Sequence, residues 1–253
     1  MLLQAFAFVS SLSLTTSTLL INYAAPAPIS DLGSCQLEGS YLGDKIACPG
    51  NDNVYIKPGT DPRGQAALHY HRDPRFRRAE VKGMGTYAAD NTYFVGYEFN
   101  LANYHEHLAI FQWKNGASDA ADNQDIVFNL QWTETLPTRL SLGYTPPGTN
   151  ANYGPLWTDS SDFTLNTTHN IALAWDTKSR GNNNLQVWLD GESVLNKGGL
   201  SLWTGEAYPK FGIYRGEARD HDTPGESNVF DIYVYKVQLS DASLDEVSGA
   251  SGL

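Results

Sequence analysis

The sequence predicts an all-β fold, with antiparallel strands assembled into a sandwich or a barrel. Short runs of alternating apolar and polar residues recur along the chain, among them "TYFVGYEFNL", "HLAIFQWKN", "DIVFNLQWTE" and "NIALAWDT". This is the period-2 pattern of half-buried strands. The separators, such as "TPPGTNANYGP" and "KSRGNNN", are rich in the residues that favour turns. No long stretch carries the 3.6-residue period of an amphipathic helix.

In chain order, residues 1–28 come first and carry no charged side chain. They read as a secretory leader without the usual basic start. The segment is too polar and too early for a convincing membrane span, and no later stretch is long enough for one. The expected mature chain is therefore a single domain over 29–253, secreted, extracellular and monomeric. Residues from Ile29 to about Pro58 read as a loop-rich segment lying across one edge or face of the strands. Cys35 and Cys48 are the only cysteines, so an oxidising compartment would join them, and a zinc site lacks further thiols.

A basic block follows. Arg63, Arg72, Arg75, Arg77, Arg78 and Lys82 are six of the chain's 17 Lys and Arg residues, with His69 and His71 beside them. On a chain of formal net charge -11 this block is either a solvated edge or an anion-binding stripe. The bulk acidity argues against nucleic acid as a partner. Asn166-Thr167-Thr168 is the only glycosylation sequon. Asp190-Gly191 after "NLQVWL" predicts a hairpin. The last strand, "NVFDIYVYKVQLS", ends near Leu239, and "SDASLDEVSGASGL" reads as a short helix or a frayed tail. There is no repeat and no linker.

Three strands carry specific polar groups on one face. In "RRAEVKG", Arg78, Glu80 and Lys82 alternate with Ala79 and Val81. In "HLAIFQWKN", Gln112 and Lys114 alternate with Phe111 and Trp113. In "YPKFGIYRGE", Tyr208, Lys210, Gly212 and Tyr214 share a face opposite Phe211 and Ile213. If these strands were neighbours, their polar faces would make a floor of Arg, Lys, Gln and Tyr. The glycine would leave a gap for a ligand.

These blocks resemble the signature strands of the jelly-roll alginate lyases, Arg-x-Glu-Leu-Arg, Gln-Ile-His and Tyr-Phe-Lys-Ala-Gly-x-Tyr, in the same order. With "HYHRDPRFRRAEV", the leader and the size, the chain is more similar to polysaccharide lyase family 20, the secreted fungal glucuronan lyases. The paired strands "IALAWDT" and "NNNLQVWLDGE" also resemble those of jelly-roll, lectin-like sandwiches. The resemblance implies a β-jelly-roll sandwich of two antiparallel sheets with a concave substrate cleft. It implies an endo-acting lyase on an anionic polysaccharide, glucuronan, with mannuronan (alginate) as the alternative polymer.

Such a lyase removes the C5 proton of a uronic acid and expels the O4-linked sugar. Donors must neutralise the adjacent carboxylate, a task suited to Arg78, Gln112 and an imidazole. The alginate-lyase histidine falls at Lys114, and His71 or His69 is expected to restore the imidazole. The base is a tyrosine, Tyr214 by the resemblance and Tyr208 in reserve, its pKa of about 10 lowered by nearby cations including Lys210. Arg77, Glu80, Lys82, Lys114, Lys210 and His69 are expected to line the polymer. No cofactor is needed for the reaction. The architecture allows a structural calcium ion, with Asp231 as a ligand.

Two rival classes remain. A glycoside hydrolase needs two carboxylates facing one cleft, and no Glu-x-Asp-x-x-Glu strand is present. A non-catalytic carbohydrate-binding protein would use the same polar and aromatic faces, but the chain is longer than such modules.

Overall fold

The computed structural model describes residues 19–40, 43–116, 125–147, 153–178, 182–202, 205–216 and 229–253. The first eighteen residues of the expected leader lie outside them. The strands begin with β1 (Ile21–Ala24), β2 (Gly33–Glu38), β3 (Lys45–Ile46), β4 (Val54–Thr60), β5 (Ala66–Arg72) and β6 (Arg78–Gly83). Then come β7 (Tyr87–Ala88), β8 (Thr92–Leu101), β9 (Ala109–Asn115), β10 (Ile126–Trp132), β11 (Leu140–Tyr144) and β12 (Tyr153–Thr158). The last are β13 (Thr168–Asp176), β14 (Asn183–Leu189), β15 (Glu192–Leu200), β16 (Glu206–Tyr214) and β17 (Phe230–Ser240).

They form two antiparallel sheets, a jelly-roll sandwich. One runs β15-β14-β13-β8-β17-β5-β4, with β1 added on β17, and the other β12-β11-β10-β9-β16-β6-β2-β3, with β7 on β16. Alternation along each strand decides what lies between the sheets. From the second sheet Phe111, Trp113, Phe128, Trp132 and Phe211 turn inward and are almost fully buried. From the first, Tyr97, Phe99 and Trp175 meet them, with Trp113 and Trp175 edge to face at 4.7 Å between ring centres. Each such side chain contributes roughly 1.5–3 kcal/mol by burial, plus the aromatic pairing.

The hairpin at Asp190-Gly191 forms between β14 and β15, both residues having positive φ (51° and 84°) as a tight two-residue turn requires. The C-terminal segment is docked, not frayed. A 3₁₀ turn over Asp245–Val247 and a helical turn over Ser248–Ser251 bury Val247 and Ala250. They pack where Gly96 of β8 has no side chain, since a Cβ there would meet Val247 O at 2.6 Å.

Two expectations need correction. Four residues inside the expected leader, Ile21–Ala24, pair with Leu239–Lys236 of β17 and bury Ile21 and Tyr23. The sheet therefore begins before residue 29, because a short buried-exposed alternation hides within the apolar run. The segment from Ile29 to Pro58 is also less loop-like than expected. It contains β2, which pairs with β6 along six residues, as well as β3 and the start of β4. The Cys35–Cys48 disulfide ties β2 to the chain beyond β3, with Cα atoms 6.2 Å apart. Among the described residues, no helix is long and apolar enough to cross a membrane.

Gly212 shows how tightly the core constrains β16. Its φ is 129°, and the pairing of β16 with β9 slips between Phe211 and Tyr214. A Cβ at this position would lie 2.4 Å from Ala79 O and 2.8 Å from the buried Tyr70 ring. The glycine is thus required by packing and backbone geometry, not by a gap for a sugar. Gly212→Ala should cost about 3 kcal/mol, from left-handed strain plus a clash with fixed backbone. Gly59→Ala, whose Cβ would meet only His69 Cβ at 3.9 Å, should stay within about 0.5 kcal/mol of wild type. Urea unfolding of both variants tests the contrast, and equal midpoints would contradict it.

Candidate active site

The three polar strands are immediate neighbours, in the order β9-β16-β6, with β2 beyond β6 and β10 beyond β9. Their register sets out the face in rows. Lys210 lies opposite Gln112 on one side and Lys82 on the other, and Gln112 lies opposite Asn129. Gly212 faces Glu80, and Glu80 faces Gln36. Tyr214 faces Arg78, and Arg78 faces Glu38. Tyr208 faces Lys114. The face is flanked by a recess of about 330 Å³ at Gln36, Glu38, Lys45 and Arg78, and by another of about 530 Å³ at Gln131, Arg139, Ser141 and Thr158.

An alternating chain of charges runs across it. Lys210 Nζ donates to Glu80 Oε2 at 3.2 Å, both side chains only 3% exposed. Arg78 bridges Glu80 (Nη1 to Oε2, 3.4 Å) and Glu38 (Nε to Oε2, 2.7 Å). Arg77 Nε lies 3.3 Å from the same Glu38 oxygen. The chain ends at Tyr214, whose Oη accepts from Arg77 Nη2 at 3.3 Å and whose ring centre lies 4.9 Å from the Arg78 guanidinium carbon. Lys82 sits 4.0 Å above the Tyr208 ring, a cation–π contact. Lys114 pairs with the exposed Asp125 at 2.9 Å.

The environment sets the protonation. Burial pulls the Lys210 ammonium below lysine's ordinary value; Glu80 opposes this, and Arg78 and Lys114 add to it. Burial alone would raise the Glu38 carboxyl, but the Gly43 N–H and the Arg78 and Arg77 charges hold it below its ordinary value. Tyr208 reverses its expectation. Burial raises its phenol, and the Lys114 charge offsets only part of that.

Of the residues singled out in the sequence, this face brings together Arg77, Arg78, Glu80, Lys82, Gln112, Lys114, Tyr208, Lys210 and Tyr214. Gln112 is buried, and its Nε2 has no hydrogen-bond partner among the described residues. It is a donor awaiting an acceptor. Glu80 and Lys210, expected to line the polymer, are as buried as Gln112 but, unlike its Nε2, are paired. They spend their charge on each other. Arg77 serves the Tyr214 hydroxyl.

His69 and His71 do not belong to this face. They stand on β5 of the other sheet, pairing with β17 and β4, with their side chains opposite the core-facing Leu68 and Tyr70. The five residues after Arg72 carry the chain from one sheet to the other, so neighbours in sequence part company in space. They cannot restore an imidazole near Lys114. Asp231 lies with them, and its nearest polar partners are their two ring nitrogens. Asn166 is exposed, at a positive φ of 58°.

Sequence reasoning missed Glu38, Asn129 and Gln131. "DIVFNLQW" places Asn129 and Gln131 opposite Phe128, Leu130 and Trp132, the same signature that marks Gln112. Glu38 alternates with Leu37 in a segment read as loop.

The sequence profile of a family described as polysaccharide lyase matches residues 33–235. No curated protein matches the chain by sequence. Among solved structures, the chain is similar to an endo-β-1,4-glucuronan lyase from the fungus Trichoderma reesei, with TM-score 0.61 and 15% identity over 85% of this chain and 98% of that one. It is also similar to an alginate lyase from Corynebacterium sp., with TM-score 0.57 and 15% identity over 87% and 98%. An alginate lyase of polysaccharide lyase family 7 gives TM-score 0.54 and 14% identity over 83% and 95%.

Two outcomes follow from the charge chain. Glu80→Gln leaves the Lys210 ammonium buried without its counter-charge and should destabilise the fold by about 3–5 kcal/mol. A loss under about 1 kcal/mol in urea unfolding would show that the pair is solvated. Because Glu38 is depressed in the folded state, its contribution is complete above its unfolded value and is lost as pH falls through and below that value. Glu38→Gln should therefore flatten the acid limb of the stability–pH curve, and an unchanged limb would contradict the assignment.

Proposed function

The chain belongs to the polysaccharide lyase family, and from that premise we propose that it is a secreted, endo-acting β-1,4-glucuronan lyase that needs no cofactor. The observation that carries the proposal is the setting of Tyr214. Its hydroxyl oxygen is held by Arg77 Nη2, its ring lies beside the Arg78 guanidinium, and the same polar face holds the unpaired Gln112 donor.

The reaction breaks the C5–H and C4–O4 bonds of a uronic acid and forms a C4=C5 double bond. The carboxylate on C5 already bears a charge, so the carbanion-like state needs donors on that carboxylate. Arg78 supplies a fixed planar fork, with its charge balanced by Glu38 and Glu80. Gln112 supplies an amide N–H. Lys114 stands where related lyases carry histidine, and its ion pair with the exposed Asp125 is of the kind worth little in water. An anionic sugar can replace that aspartate. Lys82 and Tyr208 extend the contact along the polymer.

Tyr214, acting as the phenolate, then takes the C5 proton and becomes the neutral phenol. Arg77 donates to its oxygen, a charge-assisted contact that favours the phenolate before the proton is taken and again once it has been passed on. In β-1,4-glucuronan H5 and O4 leave from the same side of the ring. One phenol can therefore accept the proton and return it to the departing oxygen.

Ultraviolet monitoring of a uronan panel tests this reading, because only eliminative cleavage makes a conjugated product. Glucuronan should give rising absorbance without added metal. Tyr214→Phe should retain polymer affinity and lose at least about 10²–10⁴-fold in turnover. Gln112→Ala should lose about a hundredfold or more. Cleavage of mannuronan alone would move the substrate assignment, while reducing ends without absorbance, or a fully active folded Tyr214→Phe, would overturn the mechanism.

A further inference from the structure

The sheet behind the core carries a second cluster, which the proposed reaction leaves unused. On its outer face Asp231 of β17 is the direct cross-strand partner of His71 on β5. One carboxylate oxygen, Asp231 Oδ1, lies 2.6 Å from His69 Nε2 and 2.7 Å from His71 Nδ1. The potential ligand atoms of the three residues all lie within 4.8 Å of one another. The other nitrogen of each imidazole also has a neighbour. His71 Nε2 is 3.2 Å from Asp73 Oδ1, and His69 Nδ1 is 3.5 Å from Tyr55 Oη. Ring contacts hold both imidazoles in plane, His71 stacked on Tyr55 at 4.7 Å and His69 on Tyr233 at 4.4 Å.

We infer that this cluster is a binding site for a divalent first-row transition metal, with His69 Nε2, His71 Nδ1 and the Asp231 carboxylate as its three protein ligands. Two imidazoles and a carboxylate are a donor set for zinc and its neighbours in that row. Calcium takes six to eight oxygens, and here two of the three converging groups are nitrogen donors, so the calcium ion expected at Asp231 does not fit. The surrounding contacts are those that metal-binding histidines use. Asp73 on the far nitrogen of His71 fixes its tautomer and leaves Nδ1 free to donate its lone pair, and Tyr55 is placed to do the same for His69.

Bonds of about 2.0–2.2 Å in tetrahedral geometry separate ligand atoms by roughly 3.4 Å. Asp231 Oδ1, at 2.6 and 2.7 Å from the two nitrogens, therefore has to withdraw by less than about 1 Å, and the two nitrogens, within 4.8 Å of each other, have to close by at most about 1.4 Å. The three side chains are 14–23% exposed, which leaves room for water in the remaining position. The site joins β5 to β17 and lies on the sheet that carries none of the proposed catalytic groups. Bound metal therefore acts on stability and not on turnover.

The full chain, stripped with chelator and then dialysed against zinc chloride or calcium chloride, tests this by elemental analysis and thermal melting. One zinc per chain and a raised Tm are expected, because the site exists only in the folded state, with no such effect of calcium. His71→Gln should lose stoichiometric zinc. Asp73→Asn should weaken zinc binding about 10–100-fold while uronan turnover stays unchanged. The inference fails if folded wild type retains no zinc, if His71→Gln binds it equally well, or if calcium occupies the site instead. In the first two cases the cluster is a hydrogen-bonded knot on the sheet surface, and in the third it is a calcium site.

Discussion

The buried contact between Lys210 and Glu80 is the one on which the polar face depends. At 3.2 Å and 3% exposure the two charges interact far more strongly than a surface pair, and each would be costly alone. Strand register leaves no other arrangement. Lys210 has Lys82 directly beside it on β6 and Gln112 on β9, so its counter-charge has to come from the next row. Glu80 fills that place, and the same oxygen, Oε2, also holds Arg78. Arg78 holds Glu38, and Glu38 holds Arg77. Orientation thus passes from a buried lysine to the hydroxyl of Tyr214 through contacts of alternating sign. The five charges sum to one positive, which suits the anionic polymer proposed as substrate.

The same strand answers to the core as well as to the cleft. Phe211 packs against Tyr97 and Phe111 between the sheets, while Lys210 and Tyr214 stand on the polar side. Gly212 lies where the pairing with β9 slips, its missing side chain leaving room for the Tyr70 ring. The pairing with β6 stays regular from Lys210 to Tyr214, and that register sets the phenol beside Arg78. Tyr70 comes from β5, the strand that carries His69 and His71 on its opposite face. Packing from the first sheet therefore constrains β16 two residues from the phenol.

Period-2 alternation made much of this legible. "TYFVGYEFNL" corresponds to β8 residue for residue, and the polar residues of "RRAEVKG", "HLAIFQWKN" and "YPKFGIYRGE" do share one face. Alternation tells which residues share a face but not which sheet a strand joins. For that reason "HYHRDPRFRRAEV" read as one basic block, although its histidines on β5 and Arg78 on β6 end on opposite sides of the core. Burial of polar groups was equally hidden. Glu80 and Lys210 looked like solvated, polymer-facing charges, because the partner that buries each is 130 residues away in the chain. In the first strand the obstacle was composition. Ile21 and Tyr23 alternate properly, but their neighbours are too apolar for the pattern to stand out.

The separation of charge between the two faces bears on how such a protein meets a polyanion. The chain as a whole carries a formal charge of -11, which would repel a uronan at long range. At physiological ionic strength, exposed charges are screened beyond about 8 Å, so the bulk acidity reaches little further than the first layer of solvent. Within that distance the polar face presents Arg78, Lys82 and Lys114, with Lys210 and Arg77 beneath. Their counter-charges are mostly spent inside the sheet on Glu80 and Glu38. Asp125 is an exposed acid paired with a cation of the polar face, a pairing an incoming carboxylate can exchange at little cost. Attraction is therefore concentrated in the row where the chemistry is proposed, against the net negative charge of the chain as a whole.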